Sequence, residues 1–193
     1  MNLVKKNNPT YHEEKLEEIR YGLESIYLTY TKIFVIFVLA YFLGIIKETF
    51  LLLLTYNIIR TFAFGIHATK SIYCLITSLM LFIGGVYIVK YMSLDIYVKT
   101  IISIMLLICI YKYAPADTYK RPLINERKRK KYKVISTILG IAYVILITIL
   151  NNNIISNYLL IGMLESVIMI HPLIYKIFNL PFDNYKKYKL NTV

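Results

Sequence analysis

His67 and Cys74 are the residues of this sequence whose types suit nucleophilic chemistry, and they stand seven positions apart. A cysteine sulfur attacks a carbonyl carbon; an imidazole takes its proton and later hands it to the leaving group. On one unbroken helix, seven residues are two turns, about 10.5 Å of rise. The two side chains would then share a face without meeting, so a working pair requires a break between them. Gly65 is a helix-stop signal. Thr69 and Ser71 are cap candidates for the next helix. With Ser71 as the cap, Cys74 falls in a first helical turn, where the partial positive charge of the helix end suits a nucleophilic sulfur. The ordinary reading of a cysteine in an apolar run is packing, and Cys109 keeps it. Two cysteines at these positions make no disulfide framework, so both are expected as free thiols. A metal site is poorly served, since His12 and His171 lie far along the chain from His67 and Cys74.

The elements that must position this pair are apolar. Of 193 residues, 58% are hydrophobic, too many for an ordinary soluble domain. Residues 1–30 place Leu16, Ile19, Leu23, Ile26, Tyr27 and Tyr30 at helical spacing between glutamates. They read as an amphipathic helix on the membrane surface or packed on the rest of the protein. Apolar runs then follow over 33–46, 49–59, 72–89, 96–113, 134–150 and 154–178. The first two are read as helices 31–46 and 49–66 turning at Gly44–Glu48, because Lys and Glu at mid-bilayer are costly. Lys99, inside the fourth run, can snorkel to the interface. Glu165, inside the sixth, is a functional candidate or the partner of a lysine. His171-Pro172 marks a kink. The expected fold is an all-α, polytopic membrane helical bundle of about six transmembrane segments with an N-terminal amphipathic helix. It forms one domain over 1–193: an arm over 1–30, the bundle over 31–178 and a tail over 179–193.

The net charge of +12 sits in the gaps between these runs. A nucleic-acid binder carries a basic face on a soluble fold, which is missing, so no nucleic-acid partner is expected. The charges flank membrane helices instead. With six spans and both termini inside, the inner segments hold Arg60 and Lys70, then Lys120 to Lys133, then the C-terminal lysines. The outer gaps hold Lys47, Lys90 and Asn151–Asn153. This alternation puts the 65–74 turn on the cytoplasmic side of the cell membrane.

The stretch Arg60, Gly65-Ile66-His67-Ala68, Ser71 and Cys74, followed by Tyr113-Ala114-Pro115-Ala116-Asp117-Thr118, Arg121-Pro122-Leu123 and Arg127-Lys128-Arg129-Lys130-Lys131, resembles the AgrB family. The resemblance covers nearly the whole chain. It implies a membrane-embedded cysteine endopeptidase that processes an AgrD-like quorum-sensing precursor. His67 and Cys74 match the family's catalytic motif. By that resemblance the cysteine cuts the precursor, releases an acidic tail and holds the remainder as a thioester, which closes to a thiolactone or lactone. A homodimer is implied in the same way; no cofactor is.

Supporting residues each carry two readings. Arg60 contacts substrate carboxylates or orients the site, or is a snorkelling anchor. Gly65 is a turn residue. Ser71 is a cap, a partner of the site, or both. Asp117 orients His67, or caps its own loop. Lys128, Arg129, Lys130 and Lys131 bind the acidic precursor or anchor the loop on anionic lipid. The reading from another functional class is a non-enzymatic membrane transporter or scaffold. A transporter spreads polar residues along several spans, whereas here they gather at one inner edge.

Overall fold

The computed structural model describes residues 13–66, 71–118, 123–150 and 154–186. Its described elements are helical. They are α1 (Glu13–Phe42), α2 (Ile46–Ala63), α3 (Ser71–Leu79), a π-helical segment (Met80–Gly84) leading into α4 (Gly85–Tyr91), α5 (Ile96–Tyr113), α6 (Glu126–Ile149), α7 (Ile154–Ile170) and α8 (Pro172–Ile177). The chain forms an all-helical membrane bundle. Ile72–Tyr91, Ile96–Tyr113 and Glu126–Ile149 are each long and apolar enough to cross a membrane; Thr29–Phe42 and Ile154–Ile170 are shorter apolar stretches. Helix α2 matches α5 in length, 18 residues each, but carries Lys47, Glu48 and Arg60.

Several boundaries differ from those read off the sequence, each for a physical reason. The arm and the first apolar run form one helix, α1, with no break near residue 30. The turn after it is tighter and earlier than 44–48. Gly44 takes φ 68°, Ile45 N–H bonds back to Ala40 O, and Lys47 and Glu48 already belong to α2. Helix α2 stops at Ala63 rather than 66, because Phe64 (φ 56°) and Gly65 (φ 115°) leave helical space. The sixth run is interrupted at His171. Pro172 cannot donate a helix bond to the preceding turn, and His171 Nδ1 instead accepts from Leu173 N–H at 3.3 Å to cap α8. Lys99 does not snorkel outward. It is buried, and its Nζ donates to Ser156 Oγ at 3.1 Å.

Helix α7 is the centre of the bundle. Its buried residues run all round it from Ser156 to Ile170, as expected of a helix that is apolar on every face. Its most extensive contact is with α2. There Gly162 lies against Thr55, and a side chain at Gly162 would collide with it. Small residues let membrane helices approach until backbone and hydroxyl groups bond across the seam. Thr55 Oγ1 bonds Tyr158 O at 3.2 Å, and Tyr143 Oη from α6 bonds Thr55 O at 2.7 Å.

The two ends of the bundle sort the loops as the charge alternation requires. At one end Lys90 pairs with Glu48 at 3.7 Å, and Asn157 Nδ2 donates to Met92 O at 3.2 Å. At the other, the exit from α2 meets the loop after α5 and the end of α7. Gly65 N–H donates to Ala116 O (2.8 Å), Ala116 N–H to Ala63 O (2.9 Å) and Ile66 N–H to Met169 O (3.0 Å). Segments assigned by charge to one side of a bilayer thus share one end of the molecule.

Candidate functional site

The site lies at that second end, where α2 stops and α3 begins. The backbone needs glycine at 65 for two independent reasons. Its φ of 115° is open to glycine and strained for other residues. A Cβ there would also run into Arg60 Nη1 and the carbonyl of Met169. Arg60, one turn before the end of α2, folds back over this turn and donates from Nη2 to Ile66 O at 2.6 Å. Its guanidinium therefore fixes the first residues of the 64–70 connection. Phe64, at positive φ, is packed edge-on against Tyr132 of α6 with ring centroids 5.1 Å apart.

The described part of helix α3 runs Ser71–Leu79 and carries Cys74. The helix is not continuous with α2, which ends at Ala63. His67 itself lies outside the described residues, as do Thr69, Lys70 and His12. Ser78, one turn on, donates to Cys74 O at 2.8 Å, while Thr77 donates to Tyr73 O at 2.8 Å. These bonds satisfy backbone carbonyls within the helix. The thiol is free and half-buried. It opens onto a cavity of about 220 Å³ between α1, α2, α3 and the end of α7, lined among others by Lys32, Tyr56, Arg60, Cys74, Ser78 and Met169. Cys109 is a free thiol too, packed against the main apolar core.

One residue here was missed in the sequence. Lys32, on α1, donates from Nζ to Cys74 Sγ at 3.1 Å. It stands one position before an apolar run and reads there as an ordinary flanking cation. Its only signal is that it is the first charge met on entering the span from the N-terminal side.

The remaining candidates divide. Asp117 is buried, and both carboxylate oxygens are engaged by backbone amides. Oδ1 accepts from Asn184 N–H at 2.9 Å; Oδ2 accepts from Tyr185 N–H at 2.8 Å and Leu123 N–H at 3.3 Å. Its own carbonyl accepts from Tyr175 Oη at 3.1 Å. It clasps the C-terminal segment to the loop after α5. The basic run sits on the first two turns of α6, where Asn125 caps the helix by accepting from Lys128 N–H at 3.1 Å. Lys128, Lys130 and Lys131 are exposed; Arg129 stacks over the Tyr185 ring at 3.3 Å. Glu165 is buried beside Gly85, its Oε2 accepting no hydrogen bond. Among the described residues no cluster of three His, Cys, Asp or Glu side chains is arranged to hold a metal ion.

Residues 1–170 match the family described as Accessory gene regulator B, AgrB. The chain is 29% identical over 175 residues to an AgrB-like protein of Clostridium acetobutylicum, covering 91% of this chain and 84% of that one. It is 30% identical over 190 residues to an AgrB-like protein of Listeria innocua serovar 6a, covering 97% and 92%. It is 32% identical over 173 residues to the Accessory gene regulator protein B of Staphylococcus aureus, covering 89% and 90%. No solved structure matches the chain. With the described motif residues gathered at one end of a membrane bundle and the match running through nearly every helix, the chain belongs to the AgrB family.

Proposed function

We propose that this protein is a membrane-embedded cysteine endopeptidase and acyl transferase acting on an AgrD-like precursor peptide, with Cys74 as nucleophile and His67 as general acid and base. The observation that carries the reading is that the Cys74 thiol borders a cavity at the end of the bundle where the motif residues lie. Helix α2 ends at Ala63, and Cys74, on the separate helix α3, lines a cavity with Arg60.

In this mechanism His67 takes the thiol proton as the sulfur attacks the peptide carbonyl. It then delivers the proton to the departing amine, which leaves with the tail of the precursor. The acyl group stays on Cys74 as a thioester. A thiol inside the retained peptide attacks that carbonyl, its proton returns to Cys74, and a thiolactone ring closes; a hydroxyl would give a lactone. Exchange of one thioester for another is nearly energy-neutral, so the competing hydrolysis must be suppressed by keeping water out. The cavity walls of Ile33, Ile36, Leu53, Leu81 and Phe82 serve that purpose. Exposed Lys128, Lys130 and Lys131 attract an acidic tail. Arg60 is a brace of the site. This end of the bundle faces the cytoplasm at the cell membrane, against anionic lipid, a reading that the positive flanks support. The working unit is a homodimer.

Co-expression with a candidate precursor, read by mass spectrometry, tests the assignment. Wild-type protein is expected to yield the cut peptide. Cys74→Ala and His67→Ala are each expected to abolish it, and persistent cutting by Cys74→Ala would overturn the assignment.

A further inference from the structure

The contact between Lys32 and Cys74 joins two elements far apart in sequence at the reacting atom of the proposed mechanism. We propose that Lys32 is a catalytic residue of this site, whose ammonium holds the Cys74 sulfur and stabilises the negative charge that the sulfur carries as it attacks. The inference rests on the assignment of Cys74 as nucleophile.

Three observations converge. Nζ lies 3.1 Å from Sγ, within hydrogen-bonding reach of a sulfur acceptor. Both residues line the same cavity, so the pair borders the space a peptide would enter. Lys32 is also only partly exposed, on a stretch of α1 whose next turns bury Ile36 and Ala40 in a core cluster with Leu52 and Phe82 of neighbouring segments. The position of Nζ is therefore held by a packed helix. Helical side chains lean toward the N-terminus of their own helix. Lys32 accordingly leans away from the 43–45 turn, toward the end of the bundle where α3 starts.

The chemistry follows from the donor type. A protonated amine has three N–H groups and no acceptor. It can stabilise anionic sulfur but cannot take the thiol proton while it remains protonated, so it complements His67 rather than replacing it. The thiol proton goes to His67, the sulfur forms the C–S bond, and the same proton leaves with the amine. Charge-assisted bonds of this kind are about twice as strong as neutral ones, and a cation beside a cysteine is a recognised activating environment.

The test reads the sulfur directly. Full-length protein carrying Cys109→Ser is purified in detergent, and the rate of Cys74 alkylation by iodoacetamide is followed at neutral pH. Without the cation the attacking sulfur loses its charge-assisted partner, so Lys32→Gln is expected to slow alkylation about threefold or more. Lys32→Arg is expected to restore most of it. A rate unchanged in Lys32→Gln overturns the proposal. A second arm needs no substitution at Lys32: in the Cys109→Ser protein, Cys74 is expected to react several-fold faster with an anionic methanethiosulfonate than with a cationic one. Equal or reversed rates contradict a cation at the sulfur. Neither arm depends on peptide cleavage. Cleavage that survives Cys74→Ala sinks the protease assignment whatever the alkylation shows. Cleavage that needs Cys74, with alkylation indifferent to Lys32, sinks only the role of Lys32.

Discussion

The two ends of this bundle are built by different rules. At the end holding residues 43–45 and 92–95, the described links are short: a glycine turn, the Asp95 cap on Tyr97 N–H, the Asn157 bond to Met92 O and a half-exposed Lys90–Glu48 pair. At the other end the backbone leaves regular structure at Phe64, Gly65 and the 114–118 segment. It is held by cross-element bonds to Ala116, Met169, Asn184 and Tyr185. Irregular backbone at membrane depth survives only where protein satisfies its polar groups. That requirement explains why the elaborate end recruits Arg60 and Asp117 to bond backbone atoms, while at the plain end Asp95 and Asn157 each bond a single one. The lesson is that the polar residues of the motif do two jobs. Some build the platform, and Cys74 stands on it.

The contrast sets an order of expected effects. The largest belongs to Cys74→Ala, which leaves the platform intact and removes the proposed nucleophile. Peptide cutting should fall by at least about a thousandfold with no change in the melting midpoint in detergent. A parallel loss of folding would move Cys74 into the platform. Next is Gly65→Ala, which meets both a strained φ and collisions with Arg60 and Met169. It should cost about 2–4 kcal/mol of stability and lower activity through the displaced turn, checked by thermal unfolding beside the cleavage assay. Asp117→Ala strands three backbone amides. We expect a loss of about 2–3 kcal/mol and faster proteolytic removal of the C-terminal segment; protection equal to wild type would break the clasp. The smallest effect is predicted at the plain end. Lys90→Ala should change stability by less than about 1 kcal/mol, since its pair with Glu48 is half-exposed, and should leave cleavage untouched.

Much of this was legible in the sequence because bilayer constraints act locally. The apolar runs, the charge alternation and the Gly65 break are all short-range signals, and each corresponds to a feature of the bundle. What stayed hidden depends on partners far along the chain. Lys99 reads as a snorkelling cation until Ser156 is placed beside it. Asp117 reads as a possible partner of His67 until the C-terminal amides arrive. Lys32 reads as a flank until α1 packs against the start of α3. Helix ends shifted by a few residues for the same reason. The stop at Ala63 is set by the docking of 63–66 onto Ala116 and Met169 as much as by Gly65 itself.

The central claim is that Cys74 carries the peptide as a thioester at the elaborate end of the bundle. Intact-mass measurement of the purified protein after a short exposure to precursor tests it most directly. The account predicts an added mass equal to the retained peptide fragment, located on Cys74, released by hydroxylamine and absent in Cys74→Ala. An adduct on another residue, or efficient cutting with no adduct under conditions that slow its release, would contradict it.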